Sequence, residues 1–177
     1  MKTLISQAEL KTGITSMSAD INKQLGSTPL TVICVLTGSI ILVADLIRHL
    51  EMPMRLGALS ASSYKGNTVR DTLTLDAHLL PNLQGQHVLI VDDIFDTGRT
   101  LESVIEKINF ECNPVSVSSL TLLKKKKARK VNLIPDFVGF EVDDLFLVGY
   151  GLDYQGRYRN LPMIGELKRE IITNPSS

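Results

Sequence analysis

The chain has 177 residues, with 19 basic and 19 acidic side chains, so its formal net charge at neutral pH is zero. That length suits one domain with a sizeable core, and the balanced charge argues against nucleic acid or a membrane surface as the main partner. The two cysteines and three histidines have no metal-ligand or redox spacing, so reduced thiols and a cytoplasmic setting are expected, and Met1-Lys2-Thr3 opens no secretory signal.

Taken in order, Ser6 and Glu9 form a capping box, and Leu10, Ile14, Met17, Ile21 and Leu25 recur at helical spacing up to Gly26, with Gly13 a candidate break. Residues 30–36 read as a central strand that turns at Thr37-Gly38-Ser39 into a helix over 40–50. Thr37, Ser39, Asp45 and Arg48 interrupt this apolar stretch too often for a membrane span. A further strand follows over 55–62. Residues 63–81 are polar, and only 69–75 alternate as a hairpin would; long loops of this kind in compact enzymes are usually lids.

Residues 88–91 are apolar on both faces, which places them centrally in a parallel sheet. Asp92 and Asp93 then emerge at the carboxyl end, where open α/β sheets bind ligands. Thr97-Gly98-Arg99-Thr100 supplies hydroxyls, backbone N–H groups and the start of a helix over 99–110, all favourable to a phosphate. Paired acids just before a phosphate suit ribose hydroxyls or a hydrated metal. The plain alternative is an acidic surface turn after a core strand. A strand over 115–123, the basic run Lys124 to Lys127, short strands at 137–140 and 145–148 and a disordered tail at 174–177 complete the chain. Strands alternating with helices up to residue 123 predict a parallel sheet, with the later short strands as an appendage. No G-x-x-x-x-G-K-[ST] phosphate loop, repeat or low-complexity segment occurs.

The run from Val88 through Asp92-Asp93-Ile94-Phe95-Asp96-Thr97-Gly98-Arg99-Thr100 to Leu101 resembles the signature of the type I phosphoribosyltransferases. Pro135-Asp136-Phe137-Val138-Gly139-Phe140-Glu141, Leu145 through Tyr154 and Arg157-Tyr158-Arg159-Asn160-Leu161-Pro162 resemble the base-binding hood of their hypoxanthine-guanine members. Ser63-Tyr64 resembles the pair on those enzymes' closing loop. The resemblance implies an α/β fold: an open, mainly parallel sheet flanked by helices, a small hood of short strands and a mobile loop. One domain over 1–177 is expected, its core about 28–123 and its hood about 1–10 and 124–173.

It also implies roles. Phe95 through Thr100, including Asp96, Thr97, Gly98 and Arg99, would grip the ribose 5-phosphate of phosphoribosyl pyrophosphate, and Asp92 and Asp93 the ribose hydroxyls. Leu36-Thr37-Gly38, a turn that often holds a non-proline cis peptide in the family, and Arg159 would bind pyrophosphate. Phe146 would stack on a purine, Leu147 would meet its edge through backbone groups, and Lys125 would donate to a 6-oxo group, disfavouring adenine. Lys124 and Lys126 lie within one residue of that register, and three of the four lysines are read as a solvated turn. Asp153, placed beside the purine, would coordinate Mg²⁺, with Asp92 and Asp93 reaching the metal directly or through water. Asp96 would manage the proton at the purine's N7.

The implied reaction moves a phosphoribosyl group onto N9 of hypoxanthine or guanine in a pentosyltransferase of purine salvage that works as a homodimer or homotetramer. Two departures stand out: Thr37 replaces a frequent lysine or arginine, and Asp92 replaces a common glutamate, one methylene longer. Rival readings are a xanthine-preferring enzyme, a regulator of the same fold that senses phosphoribosyl pyrophosphate, and a structural partner protein. Asp96, the hood and zero net charge disfavour the regulator, while the acids at 92, 93, 96 and 153 disfavour the structural role.

Overall fold

The computed structural model describes residues 1–64, 72–76, 78–127 and 130–168, with 62–64 and 72–75 described by their backbone alone. Strand β1 (Lys2–Ile5) leads into helix α1 (Gln7–Leu25), and the expected capping box is present, Glu9 N donating to Ser6 Oγ and Ser6 N to the Glu9 carboxylate. Gly13 does not break the helix. The ring of Phe140 presses on it, and a Cβ there would lie 2.4 Å from the ring's Cζ, so the glycine serves helix-to-sheet packing.

Strand β2 (Leu30–Leu36) is followed by α2 (Ile40–Leu46), shorter than the helix expected to residue 50. The Asn22 side chain on α1 accounts for the early end. It donates to the His49 carbonyl at 2.9 Å and accepts from Glu51 N at 3.1 Å, drawing the backbone out of helical pairing.

Strands β3 (Met54–Tyr64) and β4 (Thr72–Asp76) pair antiparallel, as an alternating hairpin would. Ser63 and Tyr64, expected on a closing loop, are the last residues of β3, opposite Leu73 and Thr72. Residues 65–71 and 77 of the expected loop lie outside the described residues, as does the expected tail at 174–177.

Strand β5 (His87–Phe95) runs beyond the apolar stretch, through both acids, because β6 (Ser116–Lys125) keeps pairing with it as far as Phe95 opposite Lys124. Helix α3 (Arg99–Cys112) joins them. Strand β7 (Phe137–Val142), expected in the appendage, instead pairs parallel with β6 and closes one edge of the main sheet. Its inward residues Phe137 and Val142 belong to the same core as Leu120 and Leu122, which explains the docking.

The main sheet has the order β4-β3-β2-β5-β6-β7, parallel except for β4, and the small antiparallel sheet has the order β1-β9-β8, with β8 (Leu147–Val148) and β9 (Ile164–Glu166). Strand alternation splits the interior in two. Val32, Cys34, Leu89 and Val91 face α1, α2 and the hood, while Ile33, Val35, Val88 and Ile90 face α3. Among the described residues no helix is long and apolar enough to cross a membrane.

Candidate active site

From β2 the chain steps outward to β3, and from β5 it steps the other way to β6, so the strand order reverses between β2 and β5. At such a switch point the loops leave in opposite directions and a crevice opens above the strand ends. The loops emerging there are Leu36-Thr37-Gly38 after β2, whose Leu36–Thr37 peptide is cis, and Asp96-Thr97-Gly98 after β5.

The second loop ends at Gly98, the N-cap of α3, with a left-handed φ of 86° and no capping side chain. The first turn of α3 therefore offers backbone N–H groups toward the crevice, where the helix dipole favours an anion. Arg99 and Thr100 are exposed beside it and Thr97 is half-buried. The ring of Phe95 is fully buried against the α3 side of the core, so this expected phosphate contact has only its backbone to offer.

Asp92 is 6% exposed and accepts from the amide of Asp93 at 3.0 Å. Burial, and then the neighbouring Asp93 charge, push the Asp92 carboxyl well above the usual carboxylate range. Burial also raises Asp93, an effect opposed by its hydrogen bonds and by the Arg159 guanidinium. Two adjacent desolvated carboxyls hold on to protons, and hydroxyl or cation ligands would release them.

Gly38 sits against this pair. A Cβ at 38 would lie 1.7 Å from Asp93 Oδ2, so the Leu36-Thr37-Gly38 turn reaches the acids only as glycine. The hood closes on the same turn from the other side through Gly151. Arg159 Nη1 donates to the Gly151 carbonyl at 2.5 Å and its Nη2 lies 2.7 Å from Asp153 Oδ1, while Gly156 N donates to Asp153 Oδ2 at 2.8 Å. Arg159, expected to bind pyrophosphate, is thus paired with Asp153, expected to bind metal, and its charge also acts on Asp93. Among the described residues no three His, Cys, Asp or Glu side chains form a metal-holding group, so Asp92, Asp93 and Asp153 do not make a cage by themselves.

On the β5–β6 side, Lys125 Nζ lies 2.8 Å from Asp144 Oδ1 and 3.5 Å from Asp96 Oδ2. Lys127 Nζ touches Asp96 Oδ1 and lies 3.3 Å from Asp144 Oδ1. The Asp96 hydrogen bond raises the Lys127 ammonium, and the Lys125 hydrogen bond lowers the exposed Asp144 carboxyl. Lys124 and Lys126 turn elsewhere, to Glu141 and Asp143. Two lysines of the run, not one, therefore point to Asp96. Asp144, two residues before Phe146, ties the hood to this group.

Phe146 exposes 41% of its surface, with Tyr154 edge-on at a ring separation of 5.4 Å, and its carbonyl accepts from Leu167 N. Leu147 starts β8 with its side chain buried, leaving its backbone as the available part. Phe146 reaches the Asp96 neighbourhood through Asp144, and Asp153 reaches Asp93 through Arg159. Lys127, Asp144 and Gly151 escape a reading by residue type, although two acids at 143–144 following four lysines were a usable charge signal.

A family model for the phosphoribosyl transferase domain matches residues 3–155. The hypoxanthine-guanine phosphoribosyltransferase of Bacillus subtilis is 39% identical over 171 residues, 96% of this chain and 94% of that protein. The hypoxanthine-guanine-xanthine phosphoribosyltransferase of Tritrichomonas foetus is 34% identical, covering 97% and 94%. A crystal structure of a hypoxanthine phosphoribosyltransferase from Staphylococcus aureus superposes with a TM-score of 0.91 at 32% identity, over 98% of this chain and 95% of the other. With the acid pair, helix-capping glycine and hood meeting at one switch point, the chain belongs to the type I phosphoribosyltransferases, in their hypoxanthine-guanine branch.

Proposed function

We propose that the protein transfers the 5-phosphoribosyl group of phosphoribosyl pyrophosphate to N9 of hypoxanthine or guanine, giving the nucleoside monophosphate and pyrophosphate in purine salvage. The observation that carries this reading is Gly38, held between Asp93 and Gly151, because it brings the β2 turn, the acid pair and the hood to one crevice.

The residues divide the work by position. The α3 N-terminus, with Thr97 and Thr100, receives the 5-phosphate through oriented amides and hydroxyls. Asp92 and Asp93 accept the ribose hydroxyls. Arg159 takes the pyrophosphate with a fork-shaped donor, facing the backbone of Leu36-Thr37-Gly38 across the crevice, so the loss of a basic side chain at Thr37 leaves the backbone part intact. Phe146 offers its ring face to the purine, Leu147 its backbone, and Lys125 an ammonium to the 6-oxo oxygen. Asp96 takes or holds the proton of N7 as N9 bonds to C1 of the ribose and the bond from C1 to the oxygen of the departing pyrophosphate breaks.

The donor chemistry suits Mg²⁺, which binds through one or two carboxylates and completes its shell with substrate phosphates and water, and Asp153, Asp92 and Asp93 supply such hard oxygens. When bound, that ion neutralises charge on the leaving pyrophosphate. Ser63 and Tyr64, by their resemblance to the family's closing-loop pair, would help to keep water from the activated ribose. A xanthine-accepting variant of the reaction has one specific support, the substrate range in the name of the Tritrichomonas foetus relative.

Our reading is of a homo-oligomer in the cytoplasm. Ile40, Leu56 and Leu79 are about half exposed or more and line one groove between α2 and β3, an apolar face of the kind that pairs chains. The deciding assay supplies Mg²⁺, phosphoribosyl pyrophosphate and each purine in turn and detects nucleotide. Formation of the hypoxanthine or guanine nucleotide supports the proposal, and no nucleotide from any 6-oxopurine overturns it.

A further inference from the structure

The hydroxyl of Tyr150 donates to Asp45 Oδ2 at 2.5 Å, joining residues 105 positions apart in the chain. Asp45 lies in the last turn of α2, the helix that begins just after the Leu36-Thr37-Gly38 turn. Tyr150 lies in the hood beside Gly151, whose carbonyl accepts from Arg159 and whose Cα closes on Gly38. The bond therefore spans the two halves of the pyrophosphate site at a point away from the crevice itself.

Its setting is built, not incidental. Tyr150 is buried and has a φ of 48°, a left-handed conformation that side chains such as tyrosine adopt only when the surroundings enforce it. Its amide donates to Leu161 at 2.8 Å, and the Gly151 amide donates to Arg159 at 3.0 Å, so ring, backbone and Arg159 form one unit. Burial and the Asp45 carboxylate both raise the Tyr150 hydroxyl far above its ordinary range, so it remains a donor at every working pH. Arg48 and His49 on the α2 side and Lys11 on α1 line the cavity beside it, and Arg48 lies 3.9 Å from the other Asp45 oxygen.

We infer that Tyr150 and Asp45 are positioning residues for pyrophosphate: their hydrogen bond fixes the hood on α2 so that Arg159 stands opposite the Leu36-Thr37-Gly38 turn. This deepens the proposed reaction and rests on that assignment of the crevice. Neither residue is among those assigned to the purine, so the effect should fall on one substrate. Misplacement of a binding group by a fraction of its reach is felt in affinity and rate alike.

Tyr150→Phe keeps the ring and removes the donor. The expected result is a rise of about tenfold in KM for phosphoribosyl pyrophosphate, the size of one charge-assisted hydrogen bond, with KM for hypoxanthine unchanged within about twofold. Pyrophosphate affinity in the presence of Mg²⁺, read by calorimetry without any purine, should fall in step. Asp45→Asn, which still accepts from the hydroxyl, should restore most of the affinity that Asp45→Ala loses, whereas a merely stabilising contact would lower the thermal midpoint and leave both KM values alone. Tyr150→Phe with parental KM for phosphoribosyl pyrophosphate and parental pyrophosphate affinity overturns the inference while the proposed reaction stands. Parent protein that binds pyrophosphate by calorimetry but makes no purine nucleotide overturns the reaction and leaves the clamp to be read from the same titrations.

Discussion

The carbonyl oxygen of Gly38 lies so close to Gly151 that a Cβ built on residue 151 would stand 2.0 Å from it. Gly151 also has a φ of 100°, so any side chain there meets both a collision and an unfavourable backbone. Gly151→Ala should therefore push the hood off the β2 turn. The expected cost is about 1–3 kcal/mol of stability and up to about 10² in kcat/KM for phosphoribosyl pyrophosphate, checked by denaturant unfolding and steady-state kinetics. Parental kinetics in a stable variant would show that the contact does not matter to the site.

Asp96 is the acid at the N7 position of the proposed purine pose, and its present partners are Lys125 and Lys127. Asp96→Asn removes the proton acceptor but keeps the size. Turnover should fall by about 10²–10⁴, with affinity for phosphoribosyl pyrophosphate little changed. Single-turnover kinetics at saturating donor would measure the drop, and equal rates in mutant and parent would take Asp96 out of its role.

Burial and the adjacent Asp93 charge raise the Asp92 carboxyl in the fold, so the folded protein keeps a proton that the unfolded chain releases. For a raised acid the associated stability is complete below the ordinary aspartate value of about 4 and is lost as pH climbs through the folded value. The ligand-free protein should thus lose stability as pH rises across that window and level off above it. Asp92→Asn, which has no charge to desolvate, should raise the thermal midpoint at neutral pH and flatten the profile while impairing catalysis. A midpoint scan in matched buffers would settle the sign, and a steeper loss in the variant would contradict it.

The apolar groove lined by Ile40, Leu56 and Leu79 gives the proposed homo-oligomer a definite test. Leu56→Glu places a charge where a partner surface would exclude water, a substitution costing several kcal/mol when buried and almost nothing when exposed. Sedimentation should show the variant as a smaller species than the parent. An unchanged assembly would locate the interface elsewhere.

Legibility followed chemistry and periodicity. Leu30 to Leu36 and the Ser6–Glu9 cap could be read directly, because a two-faced apolar run and a capping box are local patterns. Strand β5 ran past its apolar part, because its ladder with β6, a nonlocal partner, decides where Asp92 and Asp93 stop being strand. Strand β7 belongs to the main sheet and not to the appendage for the same reason: six residues look alike at a sheet edge and in a hood, and only the docking of Phe137 against the β6 core distinguishes them. In the site, Asp92, Asp93 and Asp96 announced themselves by type and spacing. The Gly38–Gly151 approach and the Tyr150–Asp45 bond join residues more than a hundred positions apart, and nothing local to either marks the partnership.

Lys125 and Lys127 invite opposite expectations although they share Asp96 and Asp144. Lys125 is largely buried at the end of β6, where its ammonium would meet a 6-oxo oxygen, whereas Lys127 is more exposed and its contact with Asp96 would compete with the purine N7 in the proposed pose. Lys125→Ala should raise KM for hypoxanthine by about tenfold or more, the size of a hydrogen bond to a charged group. Lys127→Ala should leave that KM unchanged or lower it, since a competitor for Asp96 is gone. Parallel initial-rate measurements with hypoxanthine decide the assignment, and a larger KM effect at position 127 than at 125 would transfer the base-reading role to Lys127.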